Sequence, residues 1–295
     1  MKKINIAIVG SSQTAKQYHE LIQSNAQLYA QITCICTDKI DASLGVKQVA
    51  TANELLQDDL IDAFIIASKE AQKDMSILLQ TSKPIFCANS IASDLKITDS
   101  LLQVNFYKRF DNNYQALKEQ TQTLGRIRHT HLTSRYTDIN TLEHDLLTKT
   151  IHDFDMLYHL TQTSIKTLYA SLSADAKSLF INMRLANGFF GVISNTFGSP
   201  MSDHRAEVFG DNGVVYIDNE YESEVYLASE EGVQKNKICT FQDRFTEANV
   251  EQLAHFIEHT RDGRNDTKSV RQNEQALLAI EALQLSLNEK KVVTL

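Results

Sequence analysis

Short apolar runs that alternate with helical segments constrain the first third of this chain more than any other feature. The runs are residues 4–9, 32–36, 60–67, 83–88 and 101–106. Segments with helical spacing, at 13–25 and 69–80, lie between them. Buried parallel strands have continuous apolar sequences, and strands that alternate with helices form βαβ units. The sequence therefore predicts an α/β, Rossmann-type domain over residues 1–105.

The pattern changes after residue 105. Residues 178–185 alternate apolar and polar side chains, and the turn at 186–188 leads into a second strand-like run, 188–197. Further strand-like runs are 204–210, 213–218 and 223–229, and helical segments are 112–124, 146–161 and two more near the end of the chain. This mixture predicts a second, α+β domain over residues 106–295 with a mainly antiparallel sheet.

Composition and charge exclude several classes of protein. Of the 295 residues 42% are hydrophobic and 22% are charged, as in ordinary soluble domains. The formal net charge of −8 argues against nucleic-acid binding, which needs a basic surface. The first apolar run is too short for a signal peptide, and no run approaches the roughly 18 residues of a membrane span. We therefore expect a cytoplasmic protein that does not bind membranes.

The four cysteines, Cys34, Cys36, Cys87 and Cys239, form no Cys-x-x-Cys pair. This spacing indicates neither a disulfide framework nor a zinc ribbon. Buried free thiols are the expected state.

The first loop, GSSQTA (10–15), carries part of a dinucleotide-binding fingerprint. Gly10 fills its first position, Ser12 replaces the second glycine, and Ala15 is allowed at the third. With Gln13 and Thr14, these residues are the predicted pyrophosphate loop. Asp38 follows the second run, where a carboxylate accepts hydrogen bonds from both ribose hydroxyls, which favours NAD over NADP. The alternative is that Gly10 and Asp38 are turn residues of a domain that binds no nucleotide.

Five segments, taken in order, resemble the glucose–fructose oxidoreductase/inositol dehydrogenase/MocA (Gfo/Idh/MocA) family of NAD(P)-dependent sugar and polyol oxidoreductases. The segments are IAIVGSSQTAKQYH (6–19), ELLQDDLIDAFIIAS (54–68), VNFYKRFDNNYQALKE (104–119), TIHDFDMLYHL (150–160) and DHRAEVFGDNGVV (203–215). The resemblance implies a large open sheet in the second domain and a homodimer or homotetramer formed through it. It also implies a small-molecule substrate, a sugar or polyol.

The resemblance carries over to individual catalytic and cofactor positions. His152 matches the family's histidine, and a histidine suits the role of proton acceptor. The usual lysine of a Glu-Lys-Pro motif is replaced by Asn89, and the aspartate one helical turn before the histidine is replaced by Thr148. Ser68 stands at the usual Thr-Pro position, and Arg109 matches an arginine near the cofactor, with an ion pair to Asp111 as its alternative role.

Several other charged residues are candidates to replace the missing groups. They are Lys69, Lys73, Lys108, Asp145 and Lys149. For each of them the alternative is a solvated surface charge.

The helix around His152 allows other interpretations. His152, Asp155 and His159 share one helical face, with His144 as a further ligand for a metal ion. The apolar residues of the same stretch and the resemblance favour a site without a metal, in which His152 is catalytic, contacts the substrate or has a purely structural role.

Three functions remain open. The first is a nicotinamide-dependent oxidoreductase with His152 as proton acceptor. The second is a catalytically silent homologue that binds a dinucleotide or metabolite as a sensor or partner subunit. The third is a scaffold that binds no nucleotide.

Overall fold

The structure, a computed structural model, shows two compact units. It describes residues 3–39, 41–90, 102–217, 224–229, 232–237, 244–264 and 267–295. Unit 1 comprises Met1–Asn105 and Asn249–Asn273, and unit 2 comprises Phe106–Ala248 and Glu274–Leu295.

The division corrects the predicted second domain, 106–295, in one respect. The stretch Asn249–Asn273 belongs to unit 1. Its apolar side chains Val250, Leu253, Phe256 and Ile257 pack into the core around the first strands. An amphipathic pattern shows that a helix buries one face, but it does not show which core receives that face.

Unit 1 contains a parallel sheet of the predicted Rossmann type. Its strands are β1 (Ile4–Val9), β2 (Ala30–Cys36), β3 (Lys47–Val49), β4 (Ala63–Ile66), β5 (Ile85–Cys87) and β6 (Leu102–Val104). Its first helices are α1 (Ser12–Ser24), α2 (Ala52–Leu55) and α3 (Met75–Leu78). The strand order is β3-β2-β1-β4-β5-β6, and every pair is parallel. The order reverses beside β1, and ligands of such sheets bind at the carboxyl ends of the strands there.

Unit 2 is built on a mixed, mainly antiparallel sheet, as predicted. Its strands are β7 (Ile127–Tyr136), β8 (Ile165–Leu172), β9 (Ser178–Leu185), β10 (Phe190–Phe197), β11 (Asp203–Gly210), β12 (Gly213–Ile217), β13 (Glu224–Ser229), β14 (Gly232–Lys237) and β15 (Val293–Thr294). The order is β14-β13-β12-β11-β7-β10-β9-β8-β15. The predicted hairpin is β9–β10, and β7 pairs with β10 in parallel. The parallel pair was not predicted, because β7 has a largely polar sequence that shows no apolar alternation.

The helices of the second half are α4 (Asn112–Thr121), α5 (Leu142–Asp145), α6 (Ile151–Thr161), α7 (Arg244–Asp262) and α8 (Thr267–Glu289). One face of the unit 2 sheet packs with α4, α6 and α8 in a single core. Strand β9 directs Leu179, Ile181, Met183 and Leu185 into it, all of them buried as their alternation predicts.

Two predicted helices differ in detail from the structure. Residues 69–80 contain a 3₁₀ turn (Glu70–Asp74) and the short α3. Residues 146–161 contain a π turn (Leu146–Thr150) followed by α6. Single π turns are frequent at functional sites because they change which side chains share a face.

The described cysteines are buried free thiols, as expected. Burial raises the pKa of Cys36 to about 11 and that of Cys87 to about 12, so both stay protonated near neutral pH. Cys34 is also buried, and Cys239 lies outside the described residues.

None of the helices in the described part of the chain combines the length and the hydropathy that crossing a bilayer requires.

Candidate functional site

The turn between β1 and α1 has the construction of a phosphate-binding turn. A Cβ on Gly10 would lie 3.0 Å from Thr14 Oγ1 and 3.1 Å from Ala67 Cβ, so a side chain here would crowd both neighbours and the turn favours glycine. Ser11 caps α1, because its hydroxyl accepts a hydrogen bond from the Thr14 backbone N–H. Ala15 is fully buried where the helix packs against the sheet. The N–H groups at the start of such a helix favour an anion.

An open cleft of about 370 Å³ lies beside this turn in unit 1. Its wall includes Gly10, Ser11, Thr37, Asp38 and Ser68, which follow the carboxyl ends of β1, β2 and β4. Asp38 is exposed, so its carboxylate is accessible to a ligand. The structure thus brings together three of the predicted cofactor residues, Gly10, Asp38 and Ser68.

The same cleft carries charges that the sequence analysis did not assign to it. Glu70 and Asp74 line it together with Lys73. Helical spacing places these three side chains on one face, and the structure shows that this face borders the cleft after β4. With Asp38, carboxylates outnumber the lysine, which disfavours an additional phosphate group.

The remaining predicted loop residues do not line the cleft. The Ser12 hydroxyl donates to the Lys39 carbonyl oxygen at 2.9 Å, and Thr14 Oγ1 donates to the Ser11 carbonyl oxygen at 3.1 Å. Gln13 is exposed at the start of α1. Ser11, which was not predicted, takes the place on the wall.

His152, the predicted proton acceptor, lies at the start of α6 in unit 2. Its ring centroid is 4.7 Å from that of Tyr107 and 6.1 Å from that of Phe106. Burial, and secondarily the positive charge of Lys108, lowers the pKa of His152 to about 3. Its Nδ1 is buried and has no hydrogen-bond partner among the described residues. The imidazole is therefore neutral near pH 7.

A buried ion pair lies beside His152. Lys108 Nζ is 2.6 Å from Asp153 Oδ1, and both side chains are only 1% exposed. Ser134 Oγ donates to the same carboxylate oxygen at 2.9 Å, and Asn195 Nδ2 donates to the other at 2.9 Å. His204 Nδ1 lies 3.1 Å from Ser134 Oγ. The network connects α6 to β7, β10 and β11.

Sequence reasoning did not find this network as a unit. Lys108 was a candidate replacement for the missing lysine, but Ser134, Asn195 and His204 gave no signal. These three residues are polar side chains at inward positions of β7, β10 and β11. That pattern can be recognised only when the strand pairing is known.

Arg109 forms the second ion pair of α6. Its Nε donates to Asp155 Oδ2 at 2.7 Å, and its Nη2 donates to Asp155 Oδ1. Asp111, the predicted alternative partner, caps α4 by accepting from the Asn113 and Tyr114 backbone N–H groups. An ion pair of Arg109 is thus present, and its carboxylate is that of Asp155.

The structure does not join Thr148 to His152. The Thr148 hydroxyl donates to the His144 carbonyl oxygen at 2.8 Å and lies 3.4 Å from His144 Nδ1. Both belong to α5 and the π turn that follows it. Asn89, two residues after β5, is partly buried in unit 1.

The other candidate charges have separate environments. Lys149 pairs with Asp138 and with the buried Asp145, and Lys69 is exposed. Both carboxylate oxygens of Asp155 accept hydrogen bonds from Arg109, which disfavours coordination of a metal ion by this residue. No group of three metal-ligating side chains occurs within the described ranges.

The comparisons with known proteins concern both halves of the chain. Residues 146–295 match the profile described as "Oxidoreductase family, C-terminal alpha/beta domain", a Gfo/Idh/MocA profile. The chain is 27% identical to myo-inositol 2-dehydrogenase of Thermotoga maritima, over 99% of this chain and 98% of that protein. It is 25% identical to a scyllo-inositol 2-dehydrogenase (NAD(+)) of Bacillus subtilis, over 77% and 76%.

A solved structure is similar over the same extent. A probable dehydrogenase from Thermotoga maritima superposes with a TM-score of 0.81 at 26% identity, covering 99% of this chain and 98% of that one.

The buried pair predicts a large loss of stability when its cation is removed. Lys108→Met is expected to lower the free energy of unfolding by about 3–5 kcal/mol, because Asp153 remains buried without its charge partner. Adding Asp153→Leu is expected to restore part of that loss. Lys16→Met, which breaks an exposed pair with Glu20, is the control and should change stability by less than about 0.5 kcal/mol. Chemical denaturation measures all four proteins, and equal losses for Lys108→Met and Lys16→Met would contradict the prediction.

The low pKa of His152 predicts a pH dependence of stability. The unfolded chain binds a proton there below about pH 6.5, and the folded chain does so only near pH 3. The neutral His152 therefore costs the folded state nothing above pH 6.5. As the pH falls from 6.5 towards 3, the unfolded chain gains a proton that the folded chain does not, and the free energy of unfolding falls. His152→Gln should flatten the fall in unfolding free energy between pH 6.5 and 4, by at most about 1.4 kcal/mol per pH unit.

Gln17→Ala, at an exposed position of α1, is the control, because it removes no titratable group. Its stability curve should run parallel to that of the wild type. A parallel curve for His152→Gln as well would contradict the assignment.

Proposed function

Because the chain belongs to the Gfo/Idh/MocA oxidoreductase family, we propose that it is an NAD-dependent oxidoreductase of sugars or polyols. The substrate class follows its relatives, which are named for inositols. The observation that carries the proposal is the cleft at the carboxyl ends of β1, β2 and β4, with Gly10 at the helix turn and an exposed Asp38 on its wall.

The residues of unit 1 fit a dinucleotide. Gly10 leaves room for close approach at the start of α1, and the Asp38 carboxylate would accept from the two ribose hydroxyls. The carboxylates of Glu70 and Asp74 add to the preference for NAD over NADP. When bound, NAD supplies the acceptor for a hydride from the alcohol carbon.

The protein's own contribution to the chemistry is the handling of the alcohol proton. We assign the acceptor role to His152, because its imidazole is neutral and can therefore take a proton. The buried Lys108–Asp153 pair lies beside it, and the Lys108 charge opposes formation of the imidazolium. His152 is consequently a weak base, which predicts slow turnover.

Two observations favour the second candidate, a catalytically silent homologue that binds a dinucleotide or metabolite. Asn89 brings no charge to the position of the usual lysine. The Thr148 hydroxyl is directed to His144, so it does not orient His152. In this function the cleft of unit 1 still binds its nucleotide, and hydride transfer is absent.

One set of measurements separates the candidates. Calorimetric titration with NAD, NADH, NADP and NADPH is expected to show NAD binding tighter than about 100 μM, or roughly 5.5 kcal/mol. Turnover is then measured with a panel of inositols and other polyols. His152→Ala should lower kcat by at least about 100-fold while leaving the NAD affinity unchanged, because it removes the proposed proton acceptor and no residue of the unit 1 cleft wall.

The other outcomes have definite meanings. NAD binding without turnover on any polyol, together with activity gained in Asn89→Lys, would establish the silent homologue. Binding of none of the four nucleotides would overturn the oxidoreductase and leave the scaffold.

We also propose that the protein forms a homodimer or homotetramer through the unit 2 sheet. The face of that sheet opposite the core exposes aromatic side chains, Tyr169, Phe180, Phe190 and Phe209. Covering them with a second copy removes apolar surface from water.

Light scattering should give twice or four times the protomer mass, and the double variant Phe180→Lys/Phe190→Lys should give the mass of the protomer. Leu60→Lys, at an exposed apolar residue of unit 1, is the control that should leave the mass unchanged.

A further inference from the structure

Ser12 occupies the position where a dinucleotide-binding loop usually has its second glycine. Its side chain does not point to the cleft wall. Its hydroxyl donates to the Lys39 carbonyl oxygen at 2.9 Å and lies 3.1 Å from Thr37 Oγ1. Both partners belong to the turn that follows β2, so Ser12 connects that turn to the turn after β1.

The connection continues to the carboxylate on the cleft wall. Thr37 is 6% exposed, and its Oγ1 donates to Asp38 Oδ1 at 3.2 Å. The Lys39 backbone N–H also points to Thr37 Oγ1, at 3.5 Å. Asp38 itself is exposed. An exposed carboxylate on a turn samples several orientations, unless the turn and a neighbouring hydroxyl restrict it.

We propose that Ser12 is a positioning residue, which orients Asp38 for two vicinal ribose hydroxyls and thereby sets the preference for NAD over NADP. The inference rests on the proposed function, because it assumes that the cleft receives the adenosine half of the cofactor. It adds a role for the one residue that departs from the glycine pattern.

The physical argument is preorganisation. Two hydrogen bonds from a ribose to one carboxylate need a narrow range of distances and angles. Holding the turn in that geometry before binding removes an ordering cost from NAD. It also holds the negative charge where a 2′-phosphate would lie, which penalises NADP. A freed Asp38 would bind NAD less well and repel NADP less.

The test compares Ser12→Ala with the wild type by calorimetric titration of NAD and NADP. Ser12→Ala keeps the Cβ and removes only the hydroxyl. We expect NAD to bind about five- to tenfold more weakly, the size of one hydrogen bond. NADP should bind equally or slightly better, so the ratio of the two dissociation constants shifts towards NADP.

Two further variants examine the connection itself. Thr37→Val removes the hydroxyl between Ser12 and Asp38 at nearly constant shape. The double variant with Ser12→Ala should bind NAD less than about twofold more weakly than either single variant, because both changes act through Asp38. Ser12→Thr retains a hydroxyl and should restore most of the NAD preference. Gln17→Ala, at an exposed position of α1, is the control that should leave both affinities unchanged.

Two results would overturn the inference while the proposed function stands. In one, Ser12→Ala binds NAD as the wild type does. In the other, it weakens NAD and NADP by the same factor, which would place the effect of Ser12 at the pyrophosphate that both share. If the wild type binds neither nucleotide, the proposed function fails and the inference fails with it.

Discussion

The ion pair between Lys108 and Asp153 holds the unit 2 part of the candidate site, around His152, in place. Two charges that are almost completely removed from water are tolerated because Ser134 and Asn195 supply hydrogen bonds to the carboxylate. The pair ties α6 to three strands of the unit 2 sheet, and α6 begins with Ile151 directly before His152. The position and the charge state of His152 therefore depend on it. Arg109 and Asp155 repeat the arrangement on the same helix.

Unit 1 positions its candidate site with short turns and hydroxyl side chains and not with a buried ion pair. Its core is apolar and its strands are parallel, so functional groups appear where strands end. Gly10, Asp38 and Ser68 follow three of these strands and meet on one cleft wall. Small hydroxyl side chains complete the turns: Ser11 caps α1, and Ser12 reaches the turn after β2. Both turns are thus fixed to one another without a bulky side chain at the start of α1.

The two halves differ in how well sequence reasoning predicts them. Parallel strands have continuous apolar sequences, and the residues after them lie at one edge of the sheet, so the placement of Gly10 and Asp38 at that edge could be predicted from the sequence. The surroundings of His152 could not. Thr148 lies one nominal turn before it, but a π turn intervenes and the hydroxyl bonds to His144. Glu70 and Asp74 were not assigned to the cleft either, because helical spacing shows that they share a face but not what that face borders.

The sequence by itself determined the α/β character of the first half, the mainly antiparallel sheet of the second, the β9–β10 hairpin and the family resemblance. These follow from local periodicity and from short motifs, which need no knowledge of distant partners. Only the tertiary structure decided that 249–273 packs into unit 1, that β7 pairs in parallel with β10, and that Lys108 lies against Asp153. These contacts join residues far apart in the chain, and an amphipathic pattern or a lone charge does not specify the partner that will satisfy it.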